Sequence, residues 1–65
     1  GGVKRPDQAR LALGMALFNL GEFNASRRAF REAAKDKRAK TYAQQWLRYI
    51  TSEENRLKEL AKEMG

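Results

Sequence analysis

The sequence predicts an all-α protein of three helices, and three observations support that class. Residues that favour helices, chiefly Ala, Leu, Arg, Lys, Glu and Gln, dominate the 65-residue chain. Proline occurs once and β-branched residues are scarce, which argues against strands. Apolar residues recur at spacings of three and four, as expected of helices with a buried face. We place the helices at 6–20, 24–36 and 39–63.

The first predicted helix, 6–20, begins at a proline and ends before a glycine. Pro6 suits the first turn because its missing N–H has no intrahelical partner there, and Asp7 lies favourably at the positive end of the helix dipole. Gly21 can adopt the left-handed conformation that ends helices at little cost. Two apolar stripes cover most of the circumference, so both sides should be flanked. They are Leu13, Leu17 and Leu20, and Leu11, Met15 and Phe18.

The second predicted helix, 24–36, starts at Asn24, which we expect to be its N-cap. One face consists of a single aromatic residue, Phe30, among small residues, and basic residues lie largely opposite. A narrow face of small side chains favours close approach of a neighbouring helix. The small residues are Ala29, Ala33 and Ala34.

The third predicted helix, 39–63, has more apolar anchors in its first half than in its second. Trp46, Leu47 and Ile50 are predicted to belong to the core. The acidic pair at 53–54 interrupts the apolar stripe, and we expect the second half to project beyond the other helices.

The turn between the second and third helices is predicted at 36–39, although no glycine or proline marks it. We prefer a turn because one continuous helix could not bury both of its faces. The resulting domain organisation has three parts: a linker or cloning remnant at 1–5, a helical hairpin at 6–37, and a long C-terminal capping helix at 38–65.

The spacing of glycine, aromatic and small residues in the first two helices matches a known repeat. The residues are Leu13, Gly14, Gly21, Phe23, Phe30 and Ala33. Their pattern resembles the tetratricopeptide repeat, whose signature is W-x2-L-G-x2-Y, then A-x3-F and finally P, within 34 residues. In such a hairpin Gly14 lets the helices approach, Gly21 makes the turn, and the two phenylalanines fill the space between the helices.

One repeat covers 7–40, with four departures from the signature. The segment 41–62, with Trp46 docked on the hairpin, resembles the polar capping helix that ends such arrays. The chain therefore resembles the C-terminal end of a longer repeat protein whose upstream repeats are absent. The departures are Arg10 for the first aromatic residue, Leu17 for the Tyr, Ser26 for the Ala, and Arg38 for the Pro.

The resemblance implies a non-catalytic protein–protein interaction scaffold that binds a peptide or a partner helix through an apolar groove on the first helix. An alternative is that some of the groove residues contact an absent upstream repeat. Isolated chains are also expected to self-associate, through the bare side of the first helix or the far half of the third. The positions that match the lining of the groove are Gln8, Leu11, Met15, Phe18 and Asn19.

The net charge of +6 is concentrated between residues 27 and 40, and it suggests an alternative function. A basic cluster of this kind can bind nucleic acid or an anionic surface. No stacking aromatics are interleaved with it and no nucleic-acid motif is present, so we favour a solvated helix face over nucleic-acid binding. The candidate basic surface is Arg27, Arg28, Arg31, Lys35, Lys37 and Arg38.

Residues typical of catalytic, cofactor and metal sites are scarce. The chain contains no Cys and no His, so thiolate or imidazole ligands and a His base are excluded. Gly14 and Gly21 do not fall in a phosphate-binding loop pattern. We therefore predict that the chain is not an enzyme, has no cofactor or metal site, and does not span a membrane.

Longer stretches resemble the tail of bacterial tetratricopeptide proteins, some of which accompany TonB-type energy-transducing systems. That resemblance implies a periplasmic or envelope location in a Gram-negative bacterium, and composition alone assigns no compartment. The stretches are 1–6, 13–16, 33–38 and 45–49.

Overall fold

A computed structural model describes residues 5–64, and it confirms the predicted all-α class. The helices are α1 (Pro6–Asn19), α2 (Phe23–Ala33) and α3 (Lys37–Met64). No strand occurs within 5–64. The predicted linker or cloning remnant at 1–5 lies, except for Arg5, outside the described residues.

The turn between α1 and α2 is built around Gly21, as the sequence predicts. Gly21 has φ of 79°, the left-handed conformation that costs a glycine little. Its N–H donates to the Phe18 carbonyl at 3.0 Å, and the Glu22 N–H donates to the Leu17 carbonyl at 2.9 Å. These two bonds form a Schellman motif, which ends α1 and turns the chain back at once.

The prediction that Asn24 is the N-cap of α2 is wrong. The capping position is Glu22, which makes no side-chain hydrogen bond to the helix. Asn24 lies inside the first turn, where its side-chain oxygen accepts a hydrogen bond from Arg27 at 2.8 Å. The physical reason is the compact Schellman turn, because its second bond already positions Glu22 to accept the first helical bond, from Ser26 N–H at 2.9 Å.

The turn between α2 and α3 comprises residues 34–36, slightly earlier than predicted, so α2 ends at Ala33 and α3 begins at Lys37. In place of a glycine or proline, Asp36 marks this turn by capping the start of α3. Its carboxylate accepts a hydrogen bond from the Arg38 backbone N–H at 2.9 Å, which satisfies an otherwise unpaired donor of the first turn of α3.

The core lies where α3 crosses the α1–α2 hairpin. Gly14 lets the hairpin close, because a Cβ atom at this position would lie only 2.7 Å from the Phe30 ring. The buried Ser26 hydroxyl donates to the Gly14 carbonyl at 2.7 Å, which ties the same two helices together. The buried apolar residues of this core are Phe30, Ala33, Ala39, Ala43 and Ile50.

The second half of α3 extends beyond the hairpin, as predicted. With 28 residues, α3 is about 42 Å long, whereas α1 and α2 have 14 and 11 residues. From Thr51 to Met64 no residue is buried, and only Glu53 and Glu54 are of intermediate burial. The molecule is accordingly elongated, with extents of 50 × 22 × 12 Å.

Candidate interaction groove

A shallow, open groove follows one face of α3. Four residues line it, at the spacing i, i+3, i+4 and i+7 that brings side chains of successive turns to one face. The groove has a volume of about 380 Å³ and is open to solvent. The lining residues, which we call the interaction groove, are Tyr42, Gln45, Trp46 and Tyr49.

The aromatic wall of the interaction groove is fixed from behind by the core. The Trp46 ring stacks on the buried Phe30 ring, with centroids 5.2 Å apart and an interplanar angle of 9°. The Tyr49 ring meets Trp46 edge to face at 5.6 Å. Tyr42 and Tyr49 remain 48% and 50% exposed, so a firmly held wall presents aromatic surface to solvent.

Phe18 connects α1 to the groove. Its ring centroid lies 5.4 Å from those of Trp46 and Tyr49. It also contacts Phe23, at 5.6 Å, so both ends of the α1–α2 turn are packed against aromatic rings. Of the five α1 residues predicted to bind a partner, Phe18 has ring contacts with the lining of the groove.

The other four predicted α1 residues divide into two groups. Leu11 and Met15 are half-buried and pack against the core of the chain itself. Gln8 and Asn19 are exposed. The apolar α1 face predicted as a groove is therefore partly covered by this chain, and the open concave surface lies next to it on α3.

Sequence reasoning did not identify Tyr42, Gln45 and Tyr49 as groove residues. Their helical spacing was visible, but core and groove positions share that spacing, and the aromatic types suit both. Only the way α3 lies across the hairpin decides that Ala39, Ala43 and Ile50 are buried while the neighbouring stripe stays half-exposed.

The predicted basic surface separates into paired and unpaired residues. Three of its six members have acidic partners: Arg27 with Glu54, Lys35 with Glu32 at 3.1 Å, and Arg38 with Asp36 at 2.7 Å. The other three are exposed and have no acidic group within 4 Å in the described part of the chain. They are Arg28, Arg31 and Lys37.

An ion-pair cluster closes the end of the hairpin opposite Gly21. Arg5 makes two hydrogen bonds to the buried Asp7 carboxylate, at 2.9 and 2.6 Å, and Arg38 lies 3.7 Å from it. The Arg5 hydrogen bonds hold the pKa of Asp7 below its ordinary value, against the opposing effect of burial. Arg38, at the position where the repeat signature has proline, holds the pKa of Asp36 low in the same way.

Neither a metal-binding group nor a membrane-spanning helix is found between residues 5 and 64. No three His, Cys, Asp or Glu side chains there are placed to hold a metal ion. None of the three helices is long and apolar enough to cross a bilayer. The Ser26 hydroxyl is fully buried and donates a hydrogen bond to the Gly14 carbonyl.

Comparison with known proteins does not place the chain in a family. No protein-family model matches it, and comparisons with curated proteins and with solved structures gave no match.

Proposed function

We propose that this chain is a non-catalytic protein-interaction scaffold that holds a peptide or helical segment of a partner protein in the interaction groove. The observation that supports this most is the half-exposed aromatic wall, which is anchored on Phe30 and Phe18. Tyr and Trp side chains provide large contact areas and lose little conformational entropy on binding, which is why they dominate binding hot spots.

The placement of the groove supports the same proposal. Trp46 and Tyr49 of the wall pack on Phe30 and Phe18 of the hairpin, so the wall is preorganised, and a preorganised site loses less free energy on binding. Gln45 adds an amide that can both donate and accept a hydrogen bond beside the aromatic rings. An apolar groove with one polar side chain suits a partner whose apolar residues lie on one face.

The tetratricopeptide assignment is part of this proposal and rests on the residues of the hairpin. Gly14 allows the close approach of α1 and α2, Gly21 makes the turn, and Phe30 fills the space between the helices, which are the roles expected of these signature residues. In repeat proteins of this type peptides usually bind along the concave surface lined by the first helix of each repeat. The interaction groove lies on α3, and Phe18 of the first helix, α1, contacts its lining.

Selection of binding peptides from a random display library tests the proposal. Trp46 is the only tryptophan, so its fluorescence reports occupancy of the groove. We expect selected peptides to shift this fluorescence, and we expect Tyr42→Ala and Tyr49→Ala each to weaken binding at least tenfold. Leu13→Ala is the matched control, because Leu13 is equally exposed, at 53%, and does not line the groove.

Two outcomes would contradict the groove proposal. One is that no peptide is enriched over a scrambled library. The other is that the enriched peptides bind equally well to the two tyrosine variants and to the control. Circular dichroism at each variant's working temperature ensures that a lost signal reflects lost binding, since half-exposed tyrosines should contribute little to folding.

A second function, binding of nucleic acid or another polyanion, is favoured by the three unpaired basic residues. Duplex and single-stranded DNA should bind measurably only if those residues contact phosphates, and the affinity would then fall steeply with salt. Arg28→Glu with Arg31→Glu would abolish such binding and leave peptide binding in the groove unchanged. Salt-independent or absent DNA binding would exclude this function and leave the scaffold proposal.

A further inference from the structure

The far part of α3 has an apolar stripe that no other part of the described chain covers. We call residues 53–64 the projecting segment. Leu57, Leu60 and Met64 are 42%, 40% and 87% exposed. Ile50, which is fully buried, stands seven residues before Leu57 and therefore on nearly the same face. The exposed stripe continues the face with which α3 packs on the hairpin.

Spacing and flanking charges identify what fits this stripe. Leu57, Leu60 and Met64 are spaced by three and four residues, as in the contact seam of a two-stranded coiled coil. Arg56 and Glu63, seven residues apart, flank one side of the seam. Arg56 contacts Glu53 of its own helix, whereas Glu63 has no ion-pair partner within residues 5–64. The seam thus has opposite charges at its two ends.

We propose that the projecting segments of two copies of this chain pack against each other antiparallel. In this register Leu57 of one copy lies beside Leu60 of the other, and residues 53–64 overlap with 64–53. Arg56 then lies next to the partner's Glu63, and symmetry forms this pair twice. A parallel pair offers no such match, because its flanking contacts would join Arg56 to Ala61.

The overlap is compatible with the rest of the fold. It begins one turn beyond Ile50, so the buried residues of α3 stay in place, and Glu54, which pairs with Arg27 of the hairpin, lies at its edge. The interaction groove, at 42–49, lies outside the overlap and remains open in both copies. The two leucines of each copy form the apolar layers and Met64 lies at each end beside the partner's Glu53, so the contact is small, and small contacts give weak, concentration-dependent association. The dimer places two grooves far apart on one rod, which permits bivalent binding.

Sedimentation equilibrium over a wide concentration range tests the interface. We expect Leu57→Ala with Leu60→Ala to weaken dimerisation at least tenfold and to keep the helix, since Ala is a strong helix former. Leu13→Ala with Leu20→Ala is the matched control, because these two leucines are also exposed but lie on α1, and it should change the dimer Kd less than twofold. A strictly monomeric wild-type chain, or a larger effect of the α1 variant, would overturn the proposal.

Charge exchange tests the antiparallel register. Arg56→Glu and Glu63→Arg should each weaken the dimer severalfold. The double variant should recover most of the lost affinity, because opposite charges again lie next to each other, with their positions exchanged. An additive loss in the double variant would refute the register. Glu59→Arg with Lys62→Glu is the control for altered surface charge, since both residues face away from the seam.

Spin-label distances give an independent readout, because the chain has no native cysteine and any introduced one is unique. In the proposed register, labels on Lys58→Cys should lie within about 20 Å of each other across the pair. Labels on Gln44→Cys should be separated by roughly 44 Å along the helix axis. Short distances at both positions would indicate a parallel pair and overturn the proposal.

Discussion

The two halves of α3 have the same length and the same helical conformation, yet they differ in almost every contact. In residues 37–50, Ala39, Ala43 and Ile50 are buried and Trp46 stacks on Phe30. In residues 51–64 nothing is buried. Beyond the Glu54–Arg27 pair, which joins the start of this half to α2, the visible stabilisation comes from ion pairs three residues apart, Glu53–Arg56 and Glu59–Lys62. Such pairs contribute only a few tenths of a kcal/mol each.

The difference teaches that helix formation and packing have separate causes in this chain. Helix-favouring residues are enough to continue the helix through both halves. Packing depends on side-chain size and on a neighbouring helix. The small alanines at 39 and 43 are buried against the hairpin, whereas beyond the Glu54–Arg27 pair the second half has no neighbouring helix in the described chain. The same contrast predicts where substitutions will be costly.

The largest effect is expected from truncating equivalent apolar side chains one heptad apart. Ile50→Ala should destabilise the fold by about 2–5 kcal/mol, because it leaves a cavity in the core. Leu57→Ala should cost less than about 1 kcal/mol, since Leu57 is 42% exposed and its truncation leaves no enclosed cavity. Urea unfolding followed by circular dichroism, at concentrations low enough to avoid self-association, measures both. Equal losses would remove the distinction between the halves.

Adding side-chain volume should also destabilise the fold much more in the core than in the second half of α3. Gly14→Ala would place a Cβ 2.7 Å from the Phe30 ring, whose burial leaves it no room to move, and should cost about 1–3 kcal/mol. Ala61→Leu adds more volume at an exposed position and should leave the midpoint of thermal unfolding nearly unchanged. An unchanged stability of Gly14→Ala would show that α1 and α2 can move apart without loss of stability and would contradict this prediction.

Charge neutralisation should give a smaller contrast. Glu54 pairs with Arg27 of α2 where α3 leaves the hairpin, and both side chains are partly covered. Glu54→Gln should therefore cost about 0.5–1 kcal/mol, whereas Glu59→Gln, whose pair with Lys62 is exposed, should cost close to zero. Chemical unfolding at low and high salt measures both, and salt should reduce the first effect. An equal cost for the two variants would contradict the contrast.

The last contrast concerns the dependence of stability on pH. Asp7 and Glu53 both have a lowered pKa, through hydrogen bonds from Arg5 and Arg56 respectively. A lowered pKa gives stabilisation that is complete above the unfolded value and is lost as the pH falls through the folded one. Stability should therefore decline below about pH 4.

Substitution separates the two carboxylates. Asp7→Asn should reduce the loss of stability in acid more than Glu53→Gln does. Asp7 is buried between two parts of the fold, whereas Glu53 pairs only with a residue of its own helix. Thermal unfolding between pH 2 and pH 7 measures the difference. A steeper decline for Asp7→Asn than for the wild type would contradict the assignment.

Much of the fold could be predicted from the sequence, and the errors have local causes. Gly21 as the turn, Gly14 as the close contact and a projecting second half of α3 all follow from residue type and spacing. Asn24 was misassigned because an Asn before a helix is a good cap in general, whereas here the Schellman turn already carries the chain into α2. The capping role of Asp36 was not predicted, because glycine and proline are the residues expected at such a turn and neither is present there.

The candidate site was harder to predict than the fold. The sequence drew attention to the apolar face of α1, and the structure shows that Leu11 and Met15 on that face pack against the core. Whether the α1 residues bind a partner stays a prediction, as does the tetratricopeptide relationship. The groove on α3 is formed by residues whose spacing is the same as that of core residues.

By itself, the sequence determined the helical class, the position of the hairpin turn and the segments that can bury an apolar face, because these depend on local conformation and periodicity. Only the tertiary structure decided which stripe of α3 is buried, which is left as a groove, and which residues of the basic cluster are neutralised. Those properties depend on contacts between residues far apart in the chain, such as Phe18 with Tyr49 and Arg27 with Glu54. Helical periodicity repeats around the whole helix, so it cannot select the face that meets a neighbour.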